Sequence, residues 1–590
     1  MKPYILKKMK IIFACFIVIV LLPITSCDDL TEINVNPNQL NSSDINIKYV
    51  LTSLISGSGR NYVYEYVYGG GRTLSEAMQY LQRDYIDFQG ANTLVWGPQN
   101  FTDGYSSIKN SQYIFDNAQF ETLEDNQKFY TAVGQIMRSF WYGYLTSLYG
   151  DIPYSEAMQG EKGNFMPVYD NQKDIFKGVL EDLKSANDLL AQVSSVDGAS
   201  TSDLLFQGNV LKWRKFANSL RLRYLLRLSE KLSDMNAIGV DVKAEFNAIV
   251  GNSSANPVFT SNDDNAAIPF LGTNSATAWY GSPLNWTNRS EFYRRKPCAT
   301  FVDAMRTGND PRLTTFIRPV DTQLRISDDT PAYVRLDDGQ IIRNVPTSTP
   351  GISELNTYRY VGLPPALQDP NLYNFYSGVN FNTIKSLNSS IYTDLAANPA
   401  VSYLGDIYTK NVDPLVKIVL MSYSELTFIL AEARLKGWIS SGTAVGYYQE
   451  AVTASMRQYA IANESLTVYD SNTDALVAYN ENAFLTNLTT QFNNAASDAE
   501  RLTLMMTQKW LACFMTPEFW FDWCRTGVPD LGANLILGSN GKKIPVRFIY
   551  PDGEKNLNSV NVTDAISRLD PAQDSQWSKM WLLQGTGKPW

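Results

Sequence analysis

The chain contains no histidine. That absence removes Ser-His-Asp and Cys-His nucleophile systems, imidazole acid–base catalysis and His-ligated zinc, while leaving carboxylate chemistry untouched. Cysteine is scarce as well: the five, at 15, 27, 298, 513 and 524, have none of the paired Cys-x-x-Cys spacing of a structural zinc site. Cys15 falls in a leader and Cys27 at its processing site, so the other three allow one disulfide at most, and buried thiols are the simpler expectation. Positive charge is short. Fifty Lys and Arg face 59 Asp and Glu, a net charge of −9, and without the four leader lysines 46 face 59, a net of −13. A nucleic-acid partner needs a clustered basic footprint and is not expected. Beyond residue 26 no stretch approaches the roughly 18 uninterrupted apolar residues of a membrane-spanning helix. What is plentiful is aromatic surface, with 27 Phe, 12 Trp and an unusual 34 Tyr in a chain that is 44% apolar and 18% charged, a globular composition.

Residues 1–26 carry Lys2, Lys7, Lys8 and Lys10, then an apolar run from Ile11 to Ile24, then Thr25 and Ser26, the layout of a secretory signal peptide; Met9 is a second candidate start. Ile24-Thr25-Ser26-Cys27 resembles a bacterial lipobox, in which the cysteine becomes the lipidated first residue. Ordinary cleavage after Ser26 beside an incidental cysteine is the alternative. Acyl chains on Cys27 would bury CH2 groups at about 0.8 kcal/mol each, enough to hold a water-soluble body on a membrane through the anchor alone. The expected layout is a signal peptide over 1–26, a lipidated tether over 27–41 and a single body over 42–590.

Within the body, 42–250 is dominated by helical periodicity. Thr73-Leu-Ser-Glu76 reads as a capping box, with Leu74, Ala77, Met78 and Leu81 on one helical face. Phe129, Ala132, Val133, Ile136, Met137, Phe140, Tyr144 and Leu148 make an apolar stripe of five turns ending at Gly150. Further helices are expected over 172–193 and 208–231, the latter with Trp213, Phe216, Ala217, Leu220 and Tyr224 inward and Lys212, Lys215, Arg221, Arg223 and Arg227 largely outward. Residues 251–412 hold 13 of the 26 prolines, with many Asn, Gly and Asp, and imply long loops with small hairpins. Asp413-Pro414 reads as the start of a helix reaching Lys436, and Ala431, Ala433, Gly437, Ala444, Tyr447, Tyr448 and Ala451 as a tetratricopeptide-like helical pair. A last long helix is expected over 497–515, closing a 413–525 repeat part before an irregular 526–590 tail. The fold class is therefore mainly α: tetratricopeptide-like pairs in a superhelical scaffold, with a loop-rich insertion laid over it.

Several strings, in order along the mature chain, resemble the SusD/RagB family of outer-membrane lipoproteins, in particular its SusD-like nutrient-binding branch. They are Leu30-Thr-Glu-Ile-Asn-Val-Asn-Pro-Asn38, Leu148-Tyr-Gly-Asp-Ile-Pro-Tyr-Ser-Glu-Ala157, Lys212-Trp-Arg-Lys-Phe-Ala-Asn-Ser-Leu-Arg-Leu-Arg223, Asn309-Asp-Pro-Arg-Leu313, Gln508-Lys-Trp510 and Glu518-Phe-Trp-Phe-Asp-Trp-Cys-Arg-Thr-Gly527. Cys524 departs from the family pattern, where a basic residue is expected. The resemblance implies a Bacteroidetes surface lipoprotein, with Asp28 and Asp29 after Cys27 similar to a surface-export signal. It also implies a role: capturing glycans or other nutrients and loading a SusC-like TonB-dependent barrel. Trp510, Trp520 and Trp523 in those strings are expected to fill core.

Glycan recognition uses flat aromatic faces against the C–H faces of sugar rings, with amides and carboxylates fixing the hydroxyls. Loop aromatics that fit are Trp96, the Trp279, Tyr280 and Trp286 cluster, and Tyr373 with Tyr376, although each could instead pin its loop. Tyr62, Tyr64, Tyr66 and Tyr68 would share one face if extended and split into two pairs if helical. No catalytic residue, metal site or cofactor is expected, with bound Ca2+ left open. Two other readings stand beside glycan capture. One is a surface glycoside hydrolase using paired acids such as Asp263-Asp264, Asp328-Asp329 or Asp337-Asp338; the other is a helical scaffold with no small ligand.

Overall fold

The computed structural model describes residues 46–63, 74–84, 94–279, 281–284, 295–337, 339–367, 370, 373–374, 398–462, 466–535 and 542–588. Cys27, Tyr64, Tyr66, Tyr68, Tyr280, Trp286, Asp338 and Tyr376 lie outside them. Nine helices carry the argument: α1 (Ile47–Val63), α2 (Thr102–Asn117), α3 (Glu124–Tyr149), α4 (Gln172–Leu190), α5 (Val210–Arg227), α6 (Tyr423–Leu435), α7 (Ala444–Gln458), α8 (Asp498–Ala512) and α9 (Glu518–Thr526).

Helix α3 is the axis of the N-terminal part. From Phe129 onward nearly every side chain is buried, because α2 and α4 pack on its two sides and α5 closes the remaining face. Two glycines set those distances. A Cβ on Gly134 would stand 2.9 Å from the Ser111 carbonyl of α2, and one on Gly143 would stand 2.4 Å from the Tyr224 ring of α5. Helices α6 and α7 form the tetratricopeptide-like pair. Ser422 and Thr443 cap them through their side chains, and the Ser424 hydroxyl donates to the Ala451 carbonyl at 2.8 Å. One hydrophobic cluster runs from Ile47 to Leu583. No described helix is long and apolar enough to cross a membrane.

The strands are short and paired locally. β1 (Leu81–Arg83) pairs antiparallel with β3 (Arg295–Pro297), and β2 (Ala266–Pro269) with β4 (Lys417–Met421), Ile268 facing Ile418. A three-stranded sheet in the insertion sets Thr322–Ile326 parallel to Ile341–Val345, with Tyr333–Arg335 antiparallel on the other side.

Three expectations are corrected. The stripe Leu74, Ala77, Met78 and Leu81 does not make one helix: a single turn, Leu74–Ala77, gives way to β1, whose backbone is held by β3. Asp413-Pro414 does not start a helix, because 417–421 is claimed by pairing with β2 and α6 begins after Ser422. The basic face of α5 is not solvated. Arg221, Arg223 and Arg227 are buried, and helices α6 and α9 supply the carboxylates that meet Arg223 and Arg227.

Arg223 holds Glu425 of α6 bidentately at 2.7 Å through each nitrogen and donates to the Leu420 carbonyl at 2.7 Å. Arg227 reaches Glu518 of α9 at 2.7 Å and Ser147 of α3 at 2.9 Å, while the Tyr62 hydroxyl of α1 donates to Glu518 at 2.8 Å. A second knot joins Arg525 to Glu432 and Asp522, and Lys509 of α8 to Asp522 at 2.6 Å. Burial disfavours the charge of Asp522, yet Lys509 and Arg525 together hold its carboxyl well below the usual carboxylate range. Such a depressed folded-state value stabilises the fold above the ordinary carboxylate pKa, and the contribution is lost as pH falls below it.

Stripping one partner from a buried pair leaves an uncompensated charge. Glu518→Gln is therefore expected to lower the unfolding free energy by about 3–5 kcal/mol. Lys184→Ala, which breaks a pair whose side chains are 63% and 55% exposed, is expected to cost less than about 0.5 kcal/mol. Denaturant midpoints of the two variants check the contrast.

Candidate functional site

The loop-rich insertion meets the helical frame along α1 and the β2–β4 pair. Between them lies a cleft of about 170 Å3, walled by apolar groups of Leu204, Ile268, Phe270, Ala278 and Ile418, with Arg60 at its rim. The Arg60 guanidinium is exposed and makes no ion pair among the described residues. A slot of this composition suits a ligand with one apolar face and hydroxyl or carboxyl groups at its edge.

One wall of the slot is the loop that leads to Trp279, and the loop is well tied. Leu271 and Gly272 donate to the Thr277 carbonyl at 2.9 and 3.0 Å, and the Asn274 side chain accepts from Ala276 at 2.9 Å. Trp279 itself lies behind the wall. Its ring is 2% exposed and packs edge-on to Phe270 and against Tyr408, while its indole N–H donates to the Tyr408 carbonyl at 3.1 Å. This residue fastens the loop to 406–411 and offers no open face, so its role as a ligand platform is corrected to that of an anchor. The chain continues from it toward Tyr280 and Trp286.

Trp96 is corrected in the same way. It is 3% exposed, packs edge-on to Phe548, and its backbone N–H donates to the Gln576 side chain. Phe548 and Gln576 come from the C-terminal tail, which covers the ring. Tyr373 is half-buried in a third neighbourhood, where its carbonyl accepts from Asn398 at 2.6 Å. The structure thus distributes Trp96, Trp279 and Tyr373 over three packing environments, and sequence reasoning passed over Arg60, which lies on α1 four residues before Tyr64 and carries no motif.

Asn398 opens onto a polar floor beneath the insertion. Its backbone N–H donates to Asp84 at 3.1 Å, and its carbonyl accepts from Lys296 at 2.9 Å. The Lys296 ammonium also reaches the Val401 carbonyl at 3.2 Å and sits 3.1 Å from the Tyr403 ring centroid. Glu76 and Arg295 lie 3.5 Å apart beside it. Burial pulls the Lys296 pKa down to about 7, against the pull of Asp84 and Asp321 in the other direction. No spacing marks this floor in the sequence, because Asp84, Lys296 and Asn398 are brought together only by long-range contacts.

One acid in each of two pairs is held by donors within the fold. Asp264 accepts from Lys215 at 2.7 Å and from the Thr260 backbone at 2.8 Å. Burial opposes its charge, but these donors outweigh that and hold its pKa low. Asp328 accepts from the Thr347 backbone and hydroxyl at 2.9 and 2.7 Å. Among the described residues no group of three or more carboxylates and thiols could hold a metal ion.

Two family models match the chain: one described as starch-binding and associating with the outer membrane, over residues 46–343, and one described as SusD and RagB outer-membrane lipoprotein, over residues 366–583. No curated protein sequence matches. Among solved structures, a SusD homologue from Bacteroides fragilis is similar with a TM-score of 0.69 at 23% identity, covering 92% of this chain and 100% of that one. A second SusD homologue from the same species has a TM-score of 0.64 at 25% identity, with 92% and 100% coverage. A chitin-binding protein has a TM-score of 0.62 at 22% identity, with 92% and 99% coverage.

Because the folded-state pKa of Lys296 is lowered, the unfolded chain carries a proton that the folded chain lacks between about pH 7 and the ordinary lysine value of about 10.4. Folding then releases a proton, and this residue makes stability rise with pH across that window. Denaturant unfolding at a series of pH values is expected to show the rise, and Lys296→Met to flatten it.

Proposed function

The chain belongs to the SusD/RagB family of outer-membrane lipoproteins, and from that premise we propose that it captures a glycan at the cell surface and hands it to a SusC-like TonB-dependent barrel. Cys27 is the lipid attachment point in this proposal. The observation that carries the capture role is the slot beside α1: an apolar cleft with one exposed guanidinium at the rim, walled by an anchored loop whose next aromatics are Tyr280 and Trp286. An apolar sugar face would lie against the cleft while Arg60 donates to a ring hydroxyl. The commitment of Asp264 and Asp328 to hydrogen bonds within the fold favours capture over hydrolysis.

The barrel would need a docking surface, and one apolar patch fits. Phe165, Met166, Leu557 and Val560 are 62–79% exposed. They are held together because Asn561 donates to the Met166 carbonyl at 3.0 Å and Asn558 to the Pro167 carbonyl at 2.8 Å. Exposed apolar side chains grouped in this way mark interaction sites.

Calorimetry of the purified protein against starch- and chitin-derived oligosaccharides, with the same mixtures assayed for products, tests the capture role. Binding without products is expected, and Arg60→Ala and Trp286→Ala are each expected to weaken it about tenfold, about 1.4 kcal/mol. Products that vanish on a single Asp or Glu substitution would establish a hydrolase instead. For the partner, a Phe165→Glu/Leu557→Glu double variant is expected to lose co-purification of the barrel while its oligosaccharide affinity stays unchanged.

A further inference from the structure

A second groove, of about 510 Å3, lies between the N-terminal end of α4 and the C-terminal tail. One of its walls is Trp581, a half-buried indole in the tail that the sequence reading treats as irregular. The ring is locked from two directions. Its N–H donates to Asp234 at 2.8 Å, and the Lys231 ammonium stands 5.2 Å from its centroid while bonding the Gln584 carbonyl at 2.6 Å. Asp234 and Trp581 both line the groove, whereas Lys231 does not. The half-buried indole is thus part of the groove wall and is held by partners of its own, Asp234 at its N–H and Lys231 near its ring.

The polar groups around it include both kinds of hydrogen-bonding partner. Asn171 precedes α4 without its side chain taking a cap hydrogen bond. Lys173 makes no hydrogen bond or ion pair among the described residues. Gln584 commits its amide N–H groups to the Arg568 and Lys579 carbonyls, which leaves its side-chain oxygen as an acceptor. Formal charge cancels, with Asp151 and Asp234 against Lys173 and Arg568, and the Asp151–Arg568 pair is already made within the fold. A fixed aromatic face, uncommitted donors and acceptors and no net charge together match a neutral sugar ring better than a phosphate, a uronate or an apolar group.

We infer that the Trp581 groove is a second saccharide subsite, separate from the slot beside α1, in which one or two neutral sugar units stack on the indole and bond Asn171, Lys173 and Gln584. The inference rests on the reading of the protein as a glycan binder.

The test is 19F NMR of the full chain labelled with 5-fluorotryptophan, the Trp581 resonance being identified by its loss in Trp581→Phe, with maltoheptaose and chitohexaose as probes. A saturable shift of that resonance is expected. Lys173→Ala should weaken it about fivefold, and it should persist in Arg60→Ala. A still Trp581 resonance while calorimetry records binding elsewhere would overturn the groove and leave glycan capture standing. A shift that vanishes in Arg60→Ala would be transmitted from the slot and would also overturn it. Silence of both probes in both measurements would overturn the groove together with glycan capture.

Discussion

The constraint on which the rest of the structure depends is the pairing of buried charge between distant parts of the chain. Arg223 and Arg227 lie on one helix, and their carboxylates come from residues 202 and 291 positions further on. Tyr62 is tied to the same Glu518 across 456 positions. Each ion in such a site has lost its water, and the loss is recovered only with its partners in place. The N-terminal helices, the tetratricopeptide-like pair and α9 are therefore fixed in one arrangement, because other registers would strand a charge. Hydrophobic burial supplies most of the driving force for collapse, but it is not directional; the arginine forks are.

The same accounting explains why the resemblance is carried by those particular strings. Arg223 ends one, and Glu518, Asp522 and Arg525 lie in another. Asp310 and Arg312 lie in a third, and Arg312 reaches Gln508, which opens a fourth. Trp510 and Tyr80 exchange hydrogen bonds with each other's neighbourhood, the indole donating to Met78 and the phenol to Trp510. These strings mark the joints of the scaffold. Arg60 and Trp581, the side chains that would meet a ligand, lie outside them, so one scaffold can present different sites.

Helices with an amphipathic stripe were legible from periodicity alone. The stripe from Phe129 to Leu148 falls on α3, and the stretches read as 172–193 and 497–515 fall on α4 and α8, with Ser497 as the side-chain cap of the latter. The misreadings occur where a local signal competes with a distant partner. Leu81 fits a helical face but is drawn into a ladder with Pro297, and Asp413-Pro414 looks like a helix start but precedes a strand that pairs with residues about 150 positions earlier. The arginines of α5 look solvated because spacing within one helix says nothing about a carboxylate two hundred residues away.

The sequence by itself determined the class of the protein: no imidazole chemistry, no basic footprint, no apolar run beyond residue 26 long enough to span a membrane, a helical frame interrupted by proline-rich loops, and membership of a family whose strings survive in order. Composition and short-range periodicity are properties of neighbours along the chain, and they can be read there. Only the tertiary structure decided which aromatics are open and which are anchors. Trp96 and Trp279 are covered by the tail and by Tyr408, while Trp581 lines a cavity, and no local pattern separates the three. Exposure depends on what folds over a residue, and the covering segments are joined to it only through long-range contacts.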